Sequence, residues 1–348
     1  MEAGLYNYFF DLMRNKDIFT DKELEEILDC EQKARENVKV FTAMSYKIAN
    51  IITCSQHQYG PIFSCHKKYN LPPLNDETCM RRGLEAFRMV FANYAHKHRM
   101  MSYEVYPEKQ FLDNGIVMMK GYHGAEEAAK IAEEIKDYPI SVHKTLDNLA
   151  FHERRSPSIF TLAFNTNLYE RITHCLGLDN NDIRHQFQNN TFIQRVHNKP
   201  NGNAEGTLVD SFGEDVQKQF HTDTFYSALK FWYFPEEVKV EHGPFCYAEK
   251  SCVMTEEKAE WWYRESINAV TGQYPKWKSP GHPEGSLRIS REELEGEFDC
   301  KMKSIPVPAD TLVIGNVHGF HARGFAHQEH IRPAIHGSIR LSDPFVLE

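Results

Sequence analysis

The chain has 348 residues, a formal net charge of −9, 41% hydrophobic and 12% aromatic residues, so it can bury a large core. Its acidic balance argues against a nucleic-acid partner, and no apolar run approaches the roughly 20 residues that a membrane helix needs. Eight scattered cysteines without a Cys-x-x-Cys pair, behind a start with no secretory signal, indicate reduced thiols. We therefore expect a cytoplasmic protein with neither a nucleic-acid nor a membrane partner.

Helical signals fill the first part of the chain. Thr20 and Glu23 have the spacing of a capping box, and apolar residues follow at helical intervals. A second amphipathic helix is predicted from about residue 76. Residues 1–108 are therefore predicted to be a helical extension, without visible chemistry, that packs on a core domain over 109–348.

Short apolar runs between Gly and Pro turns dominate the remainder. Helices are predicted at 124–135, at 156–174 and after Thr255, and the aperiodic segment 271–286 is predicted to be a loop or lid. Strands are predicted at 116–119, 191–196, 219–225, 228–234, 243–247, 304–307, 311–314 and 337–341. This pattern indicates a mainly β, α+β fold: a double-stranded β-helix, which is the jelly-roll or cupin-like architecture, with flanking helices.

A candidate metal pair lies in the β-prone run 219–225. His221 and Asp223 are two residues apart, so on a strand both side chains point to the same side and can reach one ion. Two further His-x-acid matches, beginning at His282 and His327, lie in polar or Pro-rich loops and are weaker candidates. The alternative for the first pair is a buried histidine that is hydrogen-bonded to a neighbouring aspartate.

A third ligand must come from a distant part of the chain. His321 follows a predicted strand and a Gly-containing turn, and Arg332 lies eleven residues later. His318 competes with His321, but its spacing to Arg332 is longer. Two histidines and one carboxylate on one face of an octahedron leave three positions open, as in non-haem Fe(II) oxygenases. A buried arginine suits the far carboxylate of a dicarboxylate cosubstrate, and the alternative for Arg332 is an ordinary surface arginine.

These motifs, in their order along the chain, resemble the phytanoyl-CoA dioxygenase-like branch of the Fe(II)/2-oxoglutarate-dependent oxygenases over residues 111–345. The resemblance is carried by a Phe-x-x-x-Gly opening at Phe111, by the segment after Gly243, and by the candidate ligands and Arg332. Two positions depart from the pattern. Lys250-Ser251-Cys252 stands where Gly-Ser-His is common, and Ala334 stands where some related families have a serine.

The resemblance implies that His221, Asp223 and His321 hold Fe(II), with 2-oxoglutarate and O2 as cosubstrates and succinate and CO2 as products. It assigns the far carboxylate of 2-oxoglutarate to Arg332, helped by Gln194 or Ser338, and no catalytic residue beyond the metal ligands. Because the carboxylate ligand is present, halogenation is disfavoured.

The substrate is expected to be a small organic acid, an amino acid or a specialised-metabolite intermediate that is hydroxylated, desaturated or cyclised. An acidic chain makes a CoA thioester less attractive. Arg195 and Arg323 are candidates for a substrate carboxylate and Phe225 for an aromatic wall, although each is also compatible with a surface or core role. The alternative functions are a non-oxidative jelly-roll metalloenzyme and a catalytically silent binding protein of the same fold.

Overall fold

The structure is a computed structural model, and it describes residues 3–14, 17–53, 77–102, 109–136, 146–148, 175, 191–200, 213, 215–275, 278, 286–340 and 345. The helix predicted at 156–174 and most of the predicted lid lie outside these residues.

The helices fall into an N-terminal group and a few that flank the sheets. They are α1 (Ala3–Met13), α2 (Asp21–Glu36), α3 (Phe41–Ile52), α4 (Glu77–Arg81), α5 (Leu84–Ser102), α6 (Lys109–Asn114), α7 (Ala125–Lys136), α8 (Glu256–Val270) and α9 (Arg291–Phe298). Among the described residues, no helix has both the length and the apolar character that crossing a membrane requires.

Local sequence signals set several helix boundaries. The capping box before α2 is confirmed, because the Thr20 side chain accepts from the Glu23 N–H and the Glu23 carboxylate accepts from the Thr20 N–H. The single helix predicted from about residue 76 is instead divided into α4 and α5 at Gly83. Gly83 has a φ of +83°, a left-handed conformation that glycine adopts without strain and that ends the first helix.

The strands form two antiparallel sheets. They are β1 (Ile116–Lys120), β2 (Leu146–Asn148), β3 (Thr191–Asn198), β4 (His221–Thr222), β5 (Leu229–Phe234), β6 (Phe245–Ala248), β7 (Leu287–Arg288), β8 (Met302–Ile305), β9 (Thr311–Asn316), β10 (His321–Arg323) and β11 (His330–Ile339). The major sheet has the order β1-β9-β5-β11-β3-β2 and the minor sheet the order β7-β4-β10-β6-β8. From β3 to β6, and again from β8 to β11, each strand lies in the opposite sheet from the one before it, which is the double-stranded β-helix expected from the sequence.

Strand β11 begins at His330, earlier than the sequence predicts, and it contains Pro333, a residue type that disfavours strands. Its pairing with β5 begins only at Ile335, so the proline lies where β11 is paired with β3 alone. A proline is tolerated in a strand where the missing N–H has no neighbouring strand to bond. The early start matters for function because it places Arg332 inside a regular strand.

The strand register identifies the inner face of the major sheet. Ala334 lies opposite Gln194 on β3, and it belongs to the same buried cluster as Trp232 on β5 and Phe245 of the minor sheet. The rings of Trp232 and Phe245 meet with centroids 4.5 Å apart between the sheets. Since side chains alternate along a strand, the even-numbered residues of β11, including Arg332, face the interior of the jelly roll.

The N-terminal helices pack directly on the jelly roll. Helix α5 lies against α8, where the Trp262 indole donates to Glu85 Oε2 at 3.0 Å. Glu85 is also ion-paired with Arg88, whose guanidinium lies 5.2 Å from the centre of the Phe225 ring. Phe225 is two residues from Asp223, so the helical extension supports the segment that carries the candidate metal pair. The predicted domain boundary at residue 108 stays a prediction.

Candidate metal centre

The three candidate ligands converge on one point between the sheets. Strands β4 and β10 are neighbours, and His221 lies directly opposite His321. The Nε2 atoms of His221 and His321 lie 3.6 Å and 3.7 Å from Asp223 Oδ1. All three potential ligand atoms lie within 4.8 Å of one another, which is a spacing that can hold a metal ion.

Backbone carbonyls fix both imidazole rings in the orientation that a metal requires. His221 Nδ1–H donates to Gln219 O at 2.7 Å, and His321 Nδ1–H donates to Gly319 O at 3.0 Å. With the proton on Nδ1, the Nε2 lone pair of each ring points into the cluster. His321 Nε2 is buried and has no hydrogen-bond partner among the described residues, so the site contains an unused ligand atom.

Burial keeps both imidazoles neutral. It lowers the pKa of His321 to about 4, although the nearby Asp223 carboxylate opposes the shift. Burial is also the largest cause that holds the pKa of His221 well below its usual range, and the neighbouring His321 and Arg288 add to it. A neutral imidazole is the form that binds a metal ion, so the pair is ready to do so at neutral pH.

Asp223 is surrounded by positive charge. Lys230 Nζ lies 2.5 Å from Asp223 Oδ2, and Arg340 Nη2 lies 3.8 Å from the same oxygen. Burial alone would raise the pKa of Asp223, but the field of Lys230, with smaller contributions from the two histidines and Arg340, holds it well below its usual range. Lys230 and Arg340 are not among the site residues predicted from the sequence. A charged residue within the apolar run 228–234 was the signal that could have identified Lys230.

His318, the competing third ligand, lies outside the cluster. Its Nδ1–H donates to Thr224 O at 2.8 Å, and its ring stacks on Trp262 at 5.7 Å. Its carbonyl accepts from Thr222 Oγ1 at 3.0 Å and from Lys258 Nζ at 2.8 Å. The hydrogen bonds of His318 thus connect the segment that carries His221 and Asp223 to the loop before His321.

The segment that departs from the family pattern also positions this loop. Ser251 Oγ accepts from the Phe320 N–H at 2.8 Å and donates to Ala248 O at 2.6 Å. Lys258, which is fully buried on α8, donates to Ser251 O as well as to His318 O. Ser251 and Lys258 therefore hold the turn from which His321 projects.

Arg332 is a buried cation on the inner face of the same jelly roll. Its guanidinium donates from Nη1 to Gly243 O and lies 5.9 Å from the ring centre of Phe234. Its Nε is buried without a hydrogen-bond partner, and it forms no ion pair with an acidic residue in the described ranges. Burial, with the neighbouring Arg323, lowers the pKa of Arg332 to about 9, so it remains charged at neutral pH. A buried charge without a counter-ion is costly, which suits a site that receives a carboxylate.

The two helpers proposed for Arg332 lie at different depths along the inner face. Gln194 is buried and lies directly opposite Ala334, the residue that stands where some related families have a serine. Ser338 lies opposite Lys230, nearer to the metal cluster. His336 lies between them, and its ring stacks on Trp232 with the ring centroids 5.2 Å apart. Burial, and to a smaller extent the charge of Lys230, lowers the pKa of His336 to about 3.

The structure does not bring the three predicted substrate residues into the site as free groups. Arg195 lies between the inward-facing positions of β3, so it faces the outside of the sheet, where Nη1 donates to Lys136 O at 2.6 Å. Phe225 is fully buried in the core shared with the helical extension, against Tyr226. Arg323 lies near Arg332, but its Nη1 is ion-paired with Asp215 at 2.9 Å.

Comparisons with known proteins give matches at the level of structure alone. No protein-family model matches the sequence. No curated protein matches it either. The epimerase SnoN, solved in complex with Fe3+, alpha ketoglutarate and nogalamycin RO, is 14% identical over 66% of this chain and 80% of that chain, with a TM-score of 0.41.

Two other solved structures match to a similar degree. The non-heme alpha ketoglutarate dependent carbocyclase SnoK from nogalamycin biosynthesis is 12% identical over 69% of this chain and 84% of that chain, with a TM-score of 0.39. HygX from Streptomyces hygroscopicus, with nickel and 2-oxoglutarate bound, is 15% identical over 67% of this chain and 86% of that chain, with a TM-score of 0.37. A likeness at this level says nothing about the chemistry of this chain.

Proposed function

We propose that the protein is a non-haem Fe(II)- and 2-oxoglutarate-dependent oxygenase of the phytanoyl-CoA dioxygenase-like kind. The observation that supports this most is the combination of two incomplete sites inside one jelly roll. The cluster of His221, Asp223 and His321 presents nitrogen and oxygen ligands for an ion, and Arg332 presents a buried cation without a carboxylate. A keto diacid is a molecule that could complete both.

His221 Nε2, Asp223 Oδ1 and His321 Nε2 would hold Fe(II). This donor set suits Fe(II) and leaves one face of the ion for other ligands. When bound, the ion would supply the oxidising chemistry with O2 and the keto acid. The hydrogen bonds from both Nδ1 atoms to backbone carbonyls would keep the rings aimed at the ion throughout turnover.

Arg332 would bind the far carboxylate of 2-oxoglutarate. The orphaned Nε and the planar guanidinium suit bidentate recognition of a carboxylate. Gln194, opposite Ala334, lies close along the same face and would take the place of the missing serine, whereas Ser338 lies nearer to the metal end. The packed rings of Trp232 and Phe245 would exclude bulk water from the space between the sheets.

For the substrate we retain a small organic acid, an amino acid or a specialised-metabolite intermediate, and hydroxylation, desaturation or cyclisation as the outcome. Arg288 and Arg340 support an anionic substrate, because Arg288 lies opposite His221 on the neighbouring strand and Arg340 Nη2 lies 3.8 Å from Asp223 Oδ2. Arg195 and Phe225 are not part of this proposal, because they face away from the cluster. Arg323 could contribute only if its ion pair with Asp215 opened.

Anaerobic titration with Fe(II) and 2-oxoglutarate tests the proposal. We expect a weak visible charge-transfer band that requires both additions, and we expect R332A to need far more 2-oxoglutarate to develop it. R195A is a matched control, because Arg195 is on the neighbouring strand but faces outward. Metal binding without the band would favour the non-oxidative metalloenzyme, and absence of metal binding would favour the silent binding protein.

A further inference from the structure

The two oxygens of Asp223 have different surroundings. Oδ1 faces the Nε2 atoms of His221 and His321, at 3.6 Å and 3.7 Å. Oδ2 is the oxygen that contacts the two cations, with Lys230 Nζ at 2.5 Å and Arg340 Nη2 at 3.8 Å. The carboxylate is therefore divided between a metal side and a cation side.

This division has a consequence for the number of open metal positions. A carboxylate that binds through one oxygen leaves three of six octahedral positions open, whereas one that binds through both oxygens leaves two. A keto acid that chelates the ion takes two positions. Only the one-oxygen mode then leaves a position for O2.

We propose that Lys230 is a positioning residue that occupies Asp223 Oδ2 and keeps the carboxylate a one-oxygen ligand. The effect of Lys230 on metal coordination does not depend on the proposed function. Only the consequence for O2 binding rests on the proposed function. Lys230 Nζ forms an ion pair with Oδ2, and an ammonium so close to one carboxylate oxygen competes directly with a metal ion for that oxygen.

The position of Lys230 suits this role. It lies on β5 in the middle of the major sheet, paired with Ser338 on one side and Gly315 on the other, so its backbone is fixed by two ladders. Its side chain is mostly buried, so the contact with Oδ2 is not an exposed, solvent-screened ion pair. Arg340 is farther from the same oxygen and would add charge without closing off its lone pairs.

The experiment counts the water molecules on bound Mn(II) by the relaxation of water protons. We expect three exchangeable waters in the wild type and two in K230M, because the freed Oδ2 displaces one. With 2-oxoglutarate present, one water should remain in the wild type and none in K230M. Mn(II) affinity should be no weaker in K230M, since the ion gains a ligand atom. K230R, which keeps a cationic donor, should restore the wild-type count.

Activity provides a second readout. Succinate formation by Fe(II)-loaded K230M should fall by at least about tenfold, the scale on which partners of metal ligands act. K303M is the matched control, because Lys303 Nζ pairs with Glu249 Oε2 at 2.6 Å on the exposed surface. It should leave both readouts unchanged.

The outcomes separate the two proposals. If K230M keeps the wild-type number of waters on Mn(II) alone, the role of Lys230 is refuted, whatever the protein catalyses. If the wild type shows no response to 2-oxoglutarate, the proposed function fails while the metal-only comparison still tests Lys230. Should K230M not fold, K230Q, which also lacks the charge, takes its place in the same comparison.

Discussion

The metal end and the Arg332 end of the inner face treat buried charge in opposite ways. At the metal end, one carboxylate, Asp223, is surrounded by Lys230 and Arg340. At the other end, the guanidinium of Arg332 contacts a carbonyl and an aromatic ring but no acidic residue of the described chain. The buried carboxylate thus has cationic partners within the described chain, whereas Arg332 has no acidic partner there, and we expect a bound anion to supply one.

The largest effect should come from removing a proposed ligand at the metal end. H321A removes one of the three proposed metal ligand atoms, so we expect metal affinity to fall by more than the roughly 100-fold that loss of an outer partner can cost. Calorimetric titration with Mn(II) measures this. H318A is the control, because His318 lies behind the cluster rather than in it, and it should lower stability more than metal affinity. Equal losses of affinity in the two variants would contradict the assignment of His321.

Arg332 should give effects of opposite sign with and without ligand. R332M removes an uncompensated buried charge, so the ligand-free protein should become more stable by about 1 kcal/mol or more. The same change should weaken 2-oxoglutarate binding by about 2–5 kcal/mol, because a buried carboxylate would lose its partner. Thermal melting with and without 2-oxoglutarate measures both effects. A destabilised ligand-free R332M would mean that the guanidinium has a structural role.

Lys258 can be compared with Arg332, because both are buried cations that donate to backbone carbonyl oxygens. Its ammonium is bonded to Ser251 O and His318 O, so it has partners without any ligand. Burial lowers its pKa to about 7, against 10.5 when exposed. Between these values the unfolded chain binds the proton and the folded chain does not, so folding stability should rise with pH from about 7 to 10.5.

K258M should lack this rise, which we expect to amount to roughly 1–4 kcal/mol in the wild type. Urea unfolding at several pH values measures the difference between the two proteins. The affinity for 2-oxoglutarate should change little, in contrast to R332M. Parallel stability curves for wild type and K258M across this pH range would show that Lys258 does not titrate there.

Patterns within a few residues of one another predicted much of the fold and of the site. The capping box at Thr20 and the strand-spaced pair His221 and Asp223 depend only on local geometry, and the structure contains both arrangements. The predictions for His321 and Arg332 depended on their spacing in a family motif. Local geometry could not give them; His321, for example, reaches His221 only through the pairing of β4 with β10.

The side-chain positions that the sequence did not predict have a common cause in strand register and packing. Arg195 lies one residue from Gln194, and a shift of one position moves a side chain to the other face of the sheet. Phe225 is drawn into the core by the helical extension, which local sequence could not place. The ion pair of Lys230 with Asp223 joins residues from the two sheets, so the pairing depends on the fold.

A crystal structure with Mn(II) and 2-oxoglutarate, using the anomalous signal of the metal, tests the proposed site most directly. We expect one ion bonded to His221 Nε2, Asp223 Oδ1 and His321 Nε2, with the far carboxylate of 2-oxoglutarate within hydrogen-bond distance of the Arg332 guanidinium. An ion bound at other residues, or a carboxylate bound away from Arg332, would contradict it.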